Sequence, residues 1–282
     1  MSCIKGTYFE ELIDRAFSEF AVILGCAPQS RNYQATAKLP ESAWRNWGES
    51  VKGPLHDKLG LPNQDSWLAA SYEWGDVLAV SDGLGSKSHS DIGSRAACQS
   101  VIESADRFVT AALSDIKQLL LMIHAQWLKK IQPRSPDECS ATCLFAIRMG
   151  GDFVLGRLGD GLIVFCTDDE AGDFCLDDLE EDSFSNTTEC MERDFYYDKW
   201  QIINRSSNDC MGVVLCTDGI ADDLIPQQRI PFARGLCFNN SERNLNDEER
   251  QEQTKEWMND WPVDGHSDDK TIACLYKEDI FV

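Results

Sequence analysis

Residues 77–83 read VLAVSDG, an unbroken apolar run that meets a serine, an acid and a glycine. A short apolar run closed by a turn signal marks a strand buried on both faces. Two other stretches end the same way, FVLGRLGDG at 153–161 and VVLCTDG at 213–219. A fourth acidic spot, Ser267-Asp268-Asp269, stands just ahead of the apolar run that opens at Thr271. One Asp-Gly pair carries little, since both residues favour turns for their own reasons, and Asp264-Gly265 reads as that ordinary case. Three strand endings with the same acid, and a carboxylate beside a fourth strand, make a pattern.

A strand end is a rigid platform, and a following glycine lets the backbone turn sharply. Carboxylates gathered there repel: two unit charges ~4 Å apart cost roughly 4 kcal/mol at an effective dielectric of about 20. Divalent cations that prefer oxygen, Mg²⁺ or Mn²⁺, relieve that cost, and the lack of a His/Cys ligand set argues against zinc. Two such cations ~3.5–4 Å apart can clamp an in-line attack by water on phosphorus.

Composition fits that reading. The 282 residues are 43% hydrophobic, enough for one well-buried core, and the net charge is −22 from 48 acidic and 26 basic residues. So acidic a surface repels nucleic acid and anionic lipid, and it can act on a phosphate only through something strongly positive in the site. Glu10, Glu11 and Asp14 interrupt the first apolar stretch, so no signal peptide is expected there, and no apolar run is long enough to span a membrane. The expectation is a soluble, cytoplasmic protein. Cys143, Cys166, Cys216 and Cys274 lie in apolar runs where a thiol packs as a small hydrophobe, and no C-x-x-C pair appears.

Outward from the motifs, residues 8–24 place Phe9, Leu12, Ile13, Ala16, Phe17 and Phe20 on one helical face, with Gly25 as the stop. This predicts an N-terminal helical extension, residues 1–47, packed on a domain of 48–282; residues 26–45 read as an irregular connection. Ser66 to Ser81 reads as two strands with a turn near Trp74-Gly75, and 91–109 as a helix. A second helix is expected over 115–131, capped by Ser114, with Ile116, Leu119, Leu120, Ile123 and Trp127 inward. Residues 141–149, 153–158, 162–166, 211–217 and 271–277 read as strands, and 242–257 as a polar helix. Residues 168–182 carry nine acids and no lysine or arginine, and are expected to be a solvated loop or flap. The whole reads as an α+β layered domain.

In order along the chain, GPLHDKLGLPNQDSW (53–67), VLAVSDGLGS (77–86), LGDG (158–161), VLCTDGIADDL (214–224) and GHSDDKT (265–271) resemble the motifs of the type 2C metal-dependent protein phosphatases, the PPM family, and the first of them the opening of a bacterial subgroup. The resemblance covers about residues 48–278. It implies a four-layer αββα sandwich, two central antiparallel β-sheets flanked by helices. It implies hydrolysis of phosphoserine and phosphothreonine in proteins, with two Mn²⁺ or Mg²⁺ ions and a weaker third. By that likeness Asp82 bridges the two metals, the Gly83 carbonyl ligates the second, and Asp218 and Asp268 complete the first. Asp65 reaches the second metal through water, Asp160 joins Asp218 at the third, and Asp269 stands behind the ligands. Phosphorylated proteins are the implied partners, with a cognate Ser/Thr kinase, and a monomer is expected.

Two departures stand out. Where many members carry a phosphate-binding arginine, this chain offers His56, a candidate for the same contact. Where animal relatives carry a histidine after Asp-Gly, this chain has Leu84, so the general acid is open; Lys87 and His89 follow in a loop. The runner-up reading is a catalytically weak, phosphatase-fold regulatory or phosphoprotein-binding module, whose mark is loss of the ligating aspartates. A two-metal nuclease would need a basic track, and a calcium module a D-x-D-x-D-G loop; neither is present.

Overall fold

A computed structural model describes residues 44–177, 188–242, 247–261, 263 and 265–278. The helix expected at 8–24 lies outside them. Among the described residues, strands β1 (Trp44–Val51), β10 (Lys270–Lys277), β9 (Cys210–Cys216), β6 (Leu162–Thr167) and β7 (Phe174–Leu176) form one antiparallel sheet in that spatial order. A second antiparallel sheet runs β2 (Ser66–Tyr72), β3 (Gly75–Ser81), β4 (Cys143–Met149), β5 (Asp152–Leu158) and β8 (Gln201–Ser206). The helices are α1 (Pro54–Leu59), α2 (Ser90–Thr110), α3 (Ile116–Lys130), α4 (Asp218–Ala221), α5 (Pro226–Glu242) and α6 (Asp247–Asn259).

The period-2 geometry of a strand explains the layering. In β3, Val77 and Ala79 join a core cluster with α2 and α3, while Leu78 and Val80 face the other sheet. In β10, Ala273 and Leu275 face that same intersheet layer, and Ile272, Cys274 and Tyr276 join a third cluster under α5 and α6. Each central strand is thus buried on both faces, which is why it reads as a continuous apolar run. The order is helices, sheet, sheet, helices: the four-layer sandwich. Cys143, Cys166, Cys216 and Cys274 are all buried within it.

Several local expectations change. The cap of α3 is Asp115, not Ser114: its side chain accepts the Lys117 amide at 2.9 Å. The first strand among the described residues begins at Trp44, inside the stretch read as irregular, and pairs along its length with β10. The acidic stretch 168–182 is not wholly a solvated loop. Phe174–Leu176 adds a strand to β6, and Asp173 and Asp177 pair with Arg234 and Arg229 of α5, at 2.8 and 2.6 Å.

Candidate metal centre

The strands bring the acids to one end of the sandwich, where the two sheets meet. Asp82 follows β3, and its main chain is fixed from both sides by Thr142: the Asp82 amide donates to Thr142 Oγ1 at 2.8 Å, and the Thr142 amide to the Asp82 carbonyl at 2.7 Å. Asp160 lies in the crossing from β5 in one sheet to β6 in the other. Gly159 and Gly161 flank it at φ 93° and 103°, a conformation that side-chain-bearing residues rarely adopt. Asp218 opens α4 after β9, and the Gly219 amide donates to its Oδ1 at 2.7 Å. A Cβ at Gly219 would stand 1.9 Å from the Asp269 carbonyl oxygen, so glycine is what lets the 217–219 turn lie against the 267–269 loop.

Carboxylate oxygens of Asp82, Asp160 and Asp218 lie within 4.8 Å of one another. His56, Asp268 and Asp269 form a second such group within 4.8 Å. Asp268 stands outside the first group, yet its charge bears on both Asp82 and Asp218. Asp65, just ahead of β2, is buried against Asp82, and its Oδ2 accepts Thr217 Oγ1 at 2.7 Å. The same Thr217 oxygen receives the Thr271 amide at 3.0 Å, tying β9 to β10 beneath the acids. Gly83 is held by a hydrogen bond from its N–H to the Gln64 carbonyl at 3.1 Å.

His56 sits on α1 and is buried, with Nδ1 2.8 Å from Asp269 Oδ2. Asp269 also accepts the Gly53 amide on Oδ1 at 2.7 Å and the Gln64 amide on Oδ2 at 2.6 Å. It is therefore the hub that folds residues 53–64 around the site. Sequence reasoning places Asp269 behind the ligands but does not find Thr142 or Thr217. The threonine of Thr217-Asp218-Gly219 carries a readable signal only by its place in the motif, and Thr142 carries none.

The electrostatics are those of acids held together. Burial, then the Asp65 charge beside it, pushes Asp82 well above the usual carboxylate range. Burial, then the charges of Asp82, Asp160 and Asp268, pushes Asp218 up to about 8. Burial pushes Asp65 up to about 7, against the hydrogen bond from Thr217 that pulls it down. Asp65 Oδ1 is buried without a hydrogen-bond donor. A buried acceptor with no donor, amid carboxylates that must take up protons to coexist, fits hard cations bound through oxygen.

A family profile described as protein phosphatase 2C matches residues 52–260. The chain belongs to the protein phosphatase 2C family. This member is accordingly a protein phosphatase, an enzyme of a metal-dependent family that acts on phosphorylated proteins. No curated protein matches its sequence significantly. Solved structures share the fold at low identity. A bacterial serine phosphatase is 16% identical, with TM-score 0.58, covering 83% of this chain and 97% of its own. Serine/threonine phosphatase Stp1 from Staphylococcus aureus is 14% identical, with TM-score 0.57, covering 88% and 99%. RsbX in complex with magnesium is 13% identical, with TM-score 0.52, covering 83% and 94%. No helix among the described residues is long and apolar enough to cross a membrane.

Proposed function

We propose that this phosphatase hydrolyses phosphoserine and phosphothreonine in proteins, using water activated between two Mn²⁺ or Mg²⁺ ions. The observation that carries the reading is the meeting of Asp82, Asp160 and Asp218, from three strand endings, within 4.8 Å. Asp82 and Asp218 are the central ligands, joined by the Gly83 carbonyl and by Asp65, Asp160 and Asp268, with a weaker third ion at Asp160. Bound there, the cations supply an acidified water and neutralise charge on the phosphate. The chain's own part is to hold these oxygens fixed: Thr142 clamps the Asp82 backbone, Thr217 orients Asp65, and Asp269 anchors the loop beside Asp268. His56, its ring held by Asp269, is the candidate contact for the substrate phosphate.

The reading extends to a monomeric, cytoplasmic enzyme of bacterial type opposing a Ser/Thr kinase; the fold's likeness to bacterial phosphatases and the buried thiols support it. We take residues 1–47 as an extension and 48–282 as the catalytic domain, with strand β1 reaching back to Trp44. Turnover of p-nitrophenyl phosphate and of phosphoserine peptides, with and without Mn²⁺, tests the function. Metal-dependent hydrolysis of both is expected, and no turnover by metal-loaded protein would refute it.

A further inference from the structure

Lys270 opens β10, and its side chain is among the largest that are fully buried. A buried ammonium is costly unless its hydrogens find acceptors. Its Nζ lies 2.9 Å from His266 Nδ1 and donates to the Asp268 carbonyl at 3.3 Å. The stem passes Gly219, where a Cβ would stand 3.5 Å from Lys270 Cγ. The ammonium also lies 5.8 Å from the centre of the Trp261 ring. Trp261 is held by donation from Nε1 to Asp223 Oδ2 at 2.7 Å, and Asp223 belongs to the same run as Asp218. One side chain thus packs against the segment that carries Asp218 and bonds to the loop that carries Asp268.

We infer that Lys270 is a positioning residue of the metal centre: it cross-ties the loop bearing Asp268 to the segment bearing Asp218, so that carboxylates from two strand ends reach one cation. The inference rests on the metal reading above. A simple charge argument gives the opposite expectation, because an ammonium beside a cation site repels the cation and its removal should tighten binding. The two effects differ in sign, so one measurement separates them. Groups that hold ligands in place without touching the metal are worth about 10- to 100-fold in affinity.

Lys270→Met keeps an apolar stem over Gly219 and removes every donor. Calorimetric titration of the full chain with Mn²⁺ should show binding about 10- to 100-fold weaker than in the wild type. Turnover of p-nitrophenyl phosphate should recover when Mn²⁺ is raised by the same factor. Equal or tighter Mn²⁺ binding would overturn the inference. His266→Ala, a milder change at a half-buried residue, removes one acceptor and should weaken Mn²⁺ binding less, in the same direction. If Lys270→Met fails to fold, that variant decides: wild-type affinity in His266→Ala would refute the cross-tie. A wild-type protein that takes up no Mn²⁺ refutes the metal centre itself, whereas wild-type uptake with an unaltered Lys270→Met refutes only the positioning role.

Discussion

Asp218→Asn should stabilise the metal-free protein at alkaline pH although it removes a proposed central ligand. Burial, followed by the charges of Asp82, Asp160 and Asp268, raises the Asp218 carboxyl to about 8 in the folded state. In the unfolded chain it returns to about 3.9. Between those values the folded protein keeps a proton that the unfolded chain has released. Stability is therefore full below about pH 4 and falls as pH rises, by about 1.4 kcal/mol per pH unit for one such group. Asp65, raised to about 7, and Asp82 act in the same direction.

Over the whole window the ceiling for one carboxyl is on the order of 5 kcal/mol. Because the neighbours titrate together, the separate share of Asp218 is smaller than that ceiling. Urea unfolding in EDTA and reductant, at about pH 5 and about pH 8, measures it. The wild type should lose stability over that range and the variant should lose less, leaving Asp218→Asn the more stable at the upper pH. Saturating Mn²⁺ should reverse the order, since ligand at 100 times its Kd adds about 2.7 kcal/mol to the protein that binds it. A wild type whose metal-free stability is flat or rising with pH, or a variant weaker than wild type in EDTA at about pH 8, would refute the account of crowded acids.

Asp82→Asn should abolish turnover and calorimetric Mn²⁺ uptake while leaving the far-ultraviolet circular dichroism unchanged; retained uptake would remove Asp82 from the centre. His56→Ala should raise KM for phosphopeptides about tenfold, the worth of one charge-assisted hydrogen bond, with Mn²⁺ affinity little changed. The reverse result would reassign His56 to holding Asp269. Gly219→Ala drives a Cβ into the Asp269 carbonyl and should cost about 1–3 kcal/mol in urea unfolding, whereas Gly151→Ala, with nothing within 4 Å, should cost far less. Asp177→Asn removes the charge facing the buried Arg229 and should destabilise by about 3 kcal/mol in the same assay; an unchanged midpoint would make that pair ornamental.

The strand endings were readable because two physical demands coincide there. A strand buried on both faces is apolar through its middle, as Val77–Val80 of β3 and Val213–Cys216 of β9 are, and a sharp turn against another backbone needs glycine, as at Gly161 and Gly219. What stayed hidden depends on partners far along the chain. Strand β8 (QIINRS) is an edge whose second half is exposed and polar, and it owes its form to the β5 ladder. Helix α5 contains Pro231, which argues against a helix in a local reading, yet the helix contributes Ala233 and Cys237 to the core. Sheet order was equally hidden, since a strand apolar on both faces does not say which neighbour it takes.

The acidic stretch 168–182 shows why composition alone misleads about such segments. Its run of acids reads as a surface that would attract basic phosphopeptides, but the acids are not equivalent. The Asp173 side chain is only 2% exposed, bonded to Arg234 and to the Thr167 amide, and Asp177 pairs with Arg229. Those arginines lie on α5, more than fifty positions downstream, so the pairing cannot be read from the segment itself. Charge neutralised by a buried arginine steers no peptide; it fixes β7 to the sandwich. Whatever electrostatic selectivity the stretch exerts must come from exposed acids that face no arginine, such as Asp168 and Asp169. Amide substitutions there should change the preference between basic and acidic phosphopeptides without moving the urea midpoint, and the same substitutions at Asp173 and Asp177 should do the reverse.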